Sequence, residues 1–283
     1  MLNIVCIKWG NKFTSAHVNV LYRSVKHRLK DDHNFVCFTD NAKDLDPGID
    51  VRPLWNDFAT MKGNYRKLKL YSEEILSSLN YNVIFLDLDT IVSGTLLPFS
   101  RMKENTLWNC PSIGKNSYVY NTSFVRIVDD TFCRAWYEFK KNPANLIAQA
   151  KAQCWTGTDQ AIISYMFGGK THEVNEDDGI ISFRDHQDIC LCDKLPREVR
   201  IVSFYHNSKY GDTSDPHLVE KYPWITEHWL SYCDDVDRLV LEKFQLKKSR
   251  DIDVSNRKKN VEYRIQQRKL RRKILANVRS RML

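Results

Sequence analysis

Two aspartates one residue apart, Asp87 and Asp89, follow a run of four apolar strand formers, Val83-Ile84-Phe85-Leu86. So short a run, rich in β-branched and aromatic residues, suits a strand buried on both faces better than a helix. Two carboxylates at the carboxyl end of such a strand stand where open α/β sheets bind ligands. Carboxylates that close repel one another, and a cation between them and a phosphorylated group relieves the repulsion. An Asp pair that only caps the following turn explains the residue types but not the apolar approach.

Other residues with chemistry flank the pair. Ahead of it lies Lys67, in Lys67-Leu68-Lys69-Leu70-Tyr71; behind it, Asp159-Gln160 opens an apolar helical stretch. Val199 to Tyr205 reads as a late strand that delivers His206 and Lys209. Moving a group off a nucleoside diphosphate requires neutralising the charge that develops on the leaving diphosphate. A divalent ion held by hard carboxylate oxygens does this as a Lewis acid, and lysines add point charges. Each residue also has an ordinary reading. Lys67 shares a solvated face with Arg66 and Lys69, Asp159 caps the helix it opens, and a late histidine is a satisfied polar residue. Near the amino terminus, Lys8, Trp9 and Gly10 follow the first strand, where glycine permits close approach and an aromatic ring stacks on a base. Thr39 and Asp40 end the second strand, within reach of a base or ribose.

The segments that must position these residues alternate in type. Asn3 to Ile7 reads as a strand, and Ser15 to Leu29 as a helix, with Val18, Leu21, Tyr22, Val25 and Leu29 at helical spacing. A second strand covers Asn34 to Thr39, and a third, Ile49 to Leu54, follows the Asp46-Pro47-Gly48 turn; a helix then covers Arg66 to Leu79. This alternation predicts an α/β protein with a mixed, mostly parallel sheet and helices on both faces. Between Trp108 and Ile127 the pattern shortens into strand-like pieces around Asn121-Thr122-Ser123, which predicts an inserted antiparallel element. Helices follow over Asp129 to Lys140, Pro143 to Gln153 and Asp159 to Phe167, the last stopped by Gly168-Gly169.

The 283 residues suit one large domain, residues 1–232, with a helical extension over 233–283. Apolar content of 42% and charged content of 28% are ordinary for a globular protein, and no apolar run approaches the roughly 20 residues that span a bilayer. The first residues lack a basic region, a long apolar region and a cleavage site, so the expected location is the cytoplasm. The eight cysteines are spread through apparent core segments, which predicts buried thiols; Cys190-Leu191-Cys192 is a weak zinc signal. The net charge of +8 is uneven. From Ser255 to Leu283 there are eleven Lys and Arg against the single acid Glu262, so the preceding 254 residues carry a formal −2. Val261, Ile265, Leu270, Ile274, Leu275, Val278 and Met282 fall near one side of a helix with arginines elsewhere. A chain basic only at such an amphipathic end is better suited to an anionic membrane surface than to nucleic acid, with a partner helix or a solvated charge run as alternatives.

The ordered set Asp87-Leu88-Asp89, Asn121-Thr122-Ser123, Asp159-Gln160 and His206-Asn207-Ser208-Lys209 resembles the GT-A nucleotide-sugar glycosyltransferases. Within them it looks most like the retaining group of glycogenin and the lipopolysaccharide galactosyltransferases, over roughly residues 1–230. The resemblance implies a GT-A fold and Mn2+ (or Mg2+) held by Asp87, Asp89 and His206; a histidine ligand favours manganese. It implies Asp159 and Gln160 near the transferred sugar. Lys67, Asn121 and Lys209 would face the donor together with the loop of Lys8, Trp9, Gly10, Thr39 and Asp40. It also implies a UDP-sugar donor and a glycan, lipid-linked or protein acceptor. The late motif lacks the family's glycine before the lysine and proline after it, and Ser123 stands where the family more often has glycine.

Two other functions share some of these features. Phe85-Leu86-Asp87-Leu88-Asp89 also resembles the motif of haloacid-dehalogenase-type phosphatases, in which the first Asp would be the nucleophile. That motif normally lies on the first strand with Thr or Val two residues after the second Asp, whereas here two strands precede it and Ile91 takes that place. A non-catalytic protein binding a membrane or nucleic acid through the basic tail is the third reading.

Overall fold

The computed structural model describes residues 1–112, 116–204 and 213–248. The chain divides into two compact units, Met1–Arg238 and Leu239–Leu283; the second is described only through residue 248, where it is helical. The basic stretch 255–283 lies outside the described residues.

The first unit is built on a seven-stranded sheet. Its strands are β1 (Leu2–Lys8), β2 (His33–Thr39), β3 (Asp50–Pro53), β4 (Val83–Leu86), β6 (Thr106–Ser112), β7 (Tyr118–Ile127) and β8 (His172–Val174). Their spatial order is β3-β2-β1-β4-β7-β6-β8. The four strands from β3 to β4 are mutually parallel, and β7 is antiparallel to both β4 and β6. The remaining strands, β5 (Thr90–Val92), β9 (Ile180–Ser182) and β10 (Ile201–Ser203), form a small second sheet with β10 in the middle.

Both faces of the large sheet are covered, as the continuous apolar runs require. The period of two sends Val5, Ile7, Val36, Phe38, Val83 and Phe85 to one core and Ile4, Cys6, Phe35, Cys37, Ile84 and Leu86 to the other. Helices α4 (Cys133–Lys141), α5 (Pro143–Ala152) and α6 (Asp159–Phe167) contribute to the first core, α1 (Ser15–Arg28) to the second. The shorter helices α2 (Glu73–Ser78) and α3 (Leu97–Ser100) each follow or precede strands of this unit.

Two expectations are corrected, and the late strand is borne out as β10. The helix foreseen over Arg66 to Leu79 is a 3-10 turn, Tyr65–Tyr71, followed by α2, because Ser72 breaks the run and caps α2 by accepting the Ile75 N–H at 3.3 Å. The element around Asn121-Thr122-Ser123 is antiparallel as expected, but it is not an insertion: it is one ten-residue strand inside the sheet, between β4 and β6. The late strand belongs to the small sheet and pairs antiparallel with β5, the strand directly after Asp89. All eight cysteines are free thiols; Cys154 and Cys192 are exposed. No helix among the described residues is long and apolar enough to cross a membrane.

Candidate active site

Strand β4 ends at Leu86, and the Asp87 N–H donates to the Ser123 carbonyl at 3.0 Å, so the β4·β7 ladder continues into the first aspartate. Polar residues in the middle of β7 thereby come to lie beside the Asp pair. Asn121, Thr122 and Ser123 are all buried there.

Lys67 joins them. Its side chain is only 3% exposed, and its ammonium donates to both oxygens of Asp87 at 2.9 Å, to the Thr122 carbonyl at 2.7 Å and to Thr122 Oγ1 at 3.2 Å. The Phe85 ring lies 4.4 Å away, and Asp159 Oδ2 3.7 Å away. Its neighbour Lys69 is turned away from this cluster: it lies over the Trp136 ring and pairs with the exposed Asp57 and Glu74. Lys67 is therefore the buried member of the basic stretch. Burying an ammonium costs free energy unless it is paired, and here carboxylate, carbonyl and hydroxyl oxygens surround it.

Asp159 is the first residue of α6, and Thr158 precedes it as the cap position. Its carboxylate does more than cap: it accepts from Thr122 Oγ1 at 2.6 Å and from Thr158 Oγ1 at 2.8 Å. Two contacts place this helix start. Ser164 Oγ accepts the Val119 and Tyr120 N–H groups at 3.1 and 3.0 Å, where the β6·β7 register shifts, and so pins α6 to β7. The Tyr65 hydroxyl donates to the Gly157 carbonyl at 3.0 Å. Gly63, at φ 84°, lets the chain pass so near that an added Cβ would lie 2.2 Å from Thr158 Cγ2. Gln160 donates to Asn121 Oδ1 at 3.0 Å, and the same oxygen accepts the Ser123 N–H at 2.9 Å. Asn121 Nδ2 and the Tyr71 hydroxyl are buried with no partner among the described residues. Burial, reinforced by the Asp159 and Asp87 charges, raises the Tyr71 hydroxyl well above its usual range.

The nucleoside loop expected after β1 lies along the same edge, since β1 is the neighbour of β4. Gly10 N–H donates to Asp40 Oδ2 at 2.9 Å, and Lys8 Nζ reaches the Asn41 carbonyl at 3.5 Å, which Thr39 Oγ1 also approaches at 3.1 Å. Trp9 packs partly buried against the first core. Three residues on, Lys12 reaches Asp89 Oδ2 at 3.4 Å with its side chain 73% exposed. Burial raises the Asp89 carboxyl above the ordinary range; Lys12 opposes the shift and Asp87 adds to it.

The structure therefore brings together Asp87, Asp89, Lys67, Asn121, Asp159 and Gln160, with Lys8, Trp9, Gly10, Thr39 and Asp40 along the same sheet edge. His206 and Lys209 lie outside the described residues. The chain leading to them is fixed at Phe204, whose N–H donates to the Asp89 carbonyl at 2.7 Å. Lys12 is a member of the cluster that the sequence reading did not single out, although it lies in the same loop as Lys8-Trp9-Gly10. Thr122, Ser123 and Tyr71 stood in the quoted motifs but were assigned no role.

Three carboxylates and one buried ammonium leave the cluster at a formal −2, and among the described residues the exposed Lys12 is the one further cation paired with it. Asp87 and Asp89 offer hard oxygen donors of the kind Mg2+ and Mn2+ accept. Among the described residues no group of three or more His, Cys, Asp or Glu is arranged to hold a metal, so a cation here needs ligands beyond these two.

No family model matches the chain, and no curated protein matches it in sequence. Solved structures do match its fold, which is GT-A. The galactosyltransferase LgtC, solved in complex with donor and acceptor sugar analogs, superposes with a TM-score of 0.57 at 17% identity, covering 80% of this chain and 96% of LgtC. An LgtC active-site mutant gives 0.55 at 14% identity, covering 80% and 95%. The glycosyltransferase GlyE of Streptococcus pneumoniae TIGR4 gives 0.52 at 13% identity, covering 88% of this chain and 65% of GlyE. The fold is thus that of the LgtC-like glycosyltransferases.

Proposed function

We propose that this chain is a metal-dependent glycosyltransferase that moves a sugar from a nucleoside-diphosphate donor, a UDP-sugar, to a glycan, lipid-linked or protein acceptor. The observation that carries this reading is the cluster of Asp87, Asp89, Lys67 and Asp159 with its uncompensated negative charge, at the carboxyl edge of a GT-A sheet. Mn2+ or Mg2+ held by Asp87 and Asp89, with His206 as a third ligand, would supply Lewis-acid neutralisation of the leaving diphosphate. The anchoring of Phe204 on the Asp89 carbonyl supports the choice of His206, two residues further along.

The chain's own groups do the rest. Lys12 and Lys209 add positive charge along the diphosphate, and Lys67 fixes Asp87. The loop of Lys8, Trp9, Gly10, Thr39 and Asp40 receives the nucleoside. Asn121, Asp159 and Gln160 face the transferred sugar, which in the family resembled keeps its anomeric configuration. Residues 255–283 carry the enzyme to an anionic cytoplasmic membrane surface as a peripheral protein.

A panel of nucleotide sugars, each with and without Mn2+, tests the assignment. A ligand that binds only the folded state raises the melting temperature. The expected result is Mn2+-dependent stabilisation and hydrolysis of at least one UDP-sugar. Hydrolysis of a generic aryl phosphate with Mg2+, without any response to nucleotide sugars, would overturn the assignment in favour of a phosphatase.

A further inference from the structure

The two aspartates of the pair are not equivalent. Asp87 already accepts three hydrogen bonds from two donors: the Lys67 ammonium on both oxygens at 2.9 Å and the Ser123 hydroxyl on Oδ2 at 3.1 Å. Lys67 cannot easily leave, because it is buried, holds the Thr122 carbonyl at 2.7 Å and lies between Asp87 and Asp159. Asp89 differs in its partners, although its side chain is 13% exposed against 31% for Asp87. Among the described residues its carboxylate meets only Lys12, at 3.4 Å, and that side chain is 73% exposed. A contact of this kind is worth little and is screened by salt.

A cation arriving at the pair therefore meets one carboxylate held only by a surface lysine and one engaged by a buried ammonium. Resting on the metal-dependent reading above, we propose that Lys67 and Ser123 hold Asp87 in reserve. A divalent cation is then recruited by Asp89, and reaches Asp87 only in competition with the buried ammonium. Lys67 and Ser123 are positioning residues in this scheme. They fix one rotamer of Asp87 and weaken capture of the bare ion, so that the ion binds well only when a diphosphate contributes its own oxygens. A hydroxyl at position 123 is part of the device, and a glycine there would lack it.

The test is Mn2+ binding to the full chain, read from the EPR signal of the free ion, with and without UDP. Without UDP, Lys67→Met should bind Mn2+ about ten-fold more tightly than the wild type, since a cation beside the site disfavours a second one. Ser123→Ala, which changes no charge, should bind it roughly two- to five-fold more tightly through loss of one hydrogen bond to Asp87. Asp89→Asn should weaken binding by more than about thirty-fold and Asp87→Asn by less than about five-fold, because only one of the two is the point of entry. Lys69→Met, on the same 3-10 turn but turned away from the cluster, controls for general charge and should leave the affinity unchanged. The inference falls if Lys67→Met binds Mn2+ no more tightly than the wild type, or if Asp87→Asn costs as much as Asp89→Asn. Should Lys67→Met fail to fold, unchanged or weaker binding by Ser123→Ala overturns it alone. Failure of the metal-dependent reading looks different: the wild type then binds no Mn2+ even with UDP present.

Discussion

Two cations are buried at opposite ends of the β4·β7 pair, and their surroundings differ in kind. At the amino end of β4, Arg126 pairs across from Ile84 and is 4% exposed. Its guanidinium donates to neutral oxygens: the carbonyls of Val83 at 3.2 Å and Ile127 at 2.9 Å, Asn82 Oδ1 at 2.8 Å and the Met102 carbonyl at 3.3 Å. No carboxylate pairs with it among the described residues, and burial pulls its pKa down to about 10. At the other end, Lys67 lies against Asp87 and Asp159. Dipoles meet the two terminal nitrogens of Arg126, while its Nε has no partner among the described residues, and the side chain ties strand ends to the loop around Ser100 and Met102. Carboxylates that outnumber the cation leave a residual charge, and that imbalance distinguishes a binding site from a structural tie.

Removing Asp89 should separate the two ends most. Asp89→Asn takes away the carboxylate held only by a surface lysine, and metal-dependent donor turnover should fall by about 10³-fold with the fold intact by circular dichroism, the Lewis-acid contribution being several kcal/mol. Retained turnover would remove the distinction drawn here. Arg126→Met is the mirror experiment. Stranding buried carbonyls should cost about 2–4 kcal/mol and lower the Tm by roughly 5–10 °C. Turnover per folded molecule should stay unchanged, and a loss of turnover without a loss of stability would make Arg126 part of the site.

Smaller effects sharpen the site itself. Thr122→Val deletes the hydroxyl between Lys67 and Asp159 and should lower kcat/KM about ten-fold, equivalent to one hydrogen bond to charged groups. Melting temperature and kinetics measured together would show whether the loss is catalytic or only structural. Tyr71→Phe removes a buried hydroxyl that has no partner among the described residues, so stability should change by less than about 0.5 kcal/mol, in the stabilising direction if at all. A clear loss of donor binding in this variant would place that hydroxyl on the substrate.

Much of this was legible beforehand because it depends on local pattern. Val83-Ile84-Phe85-Leu86 could be only a buried strand, and the Asp pair had to emerge at its end. The helix from Asp159 to Phe167 was readable from its apolar run and its Gly168-Gly169 stop. The 3-10 turn was not, because Tyr65–Tyr71 satisfies helical spacing equally well, and the break at Ser72 and packing against α4 and α6 go with the tighter form. Nor could the sequence choose between Arg66, Lys67 and Lys69. Three cations in four residues look alike until one is seen inside the sheet with two carboxylates and another turned away from them with Asp57 and Glu74.

By itself the sequence determined the alternation of strands and helices, the Asp pair at a buried strand end and the concentration of positive charge after Ser255, since each follows from residue type and short-range spacing. Tertiary structure alone decided that β7 lies antiparallel against β4, because strand order is set by pairings across some forty residues. That one choice carries Thr122 and Ser123 to Asp87, draws Asp159 to Lys67 through Thr122, and makes two aspartates of the same motif unequal.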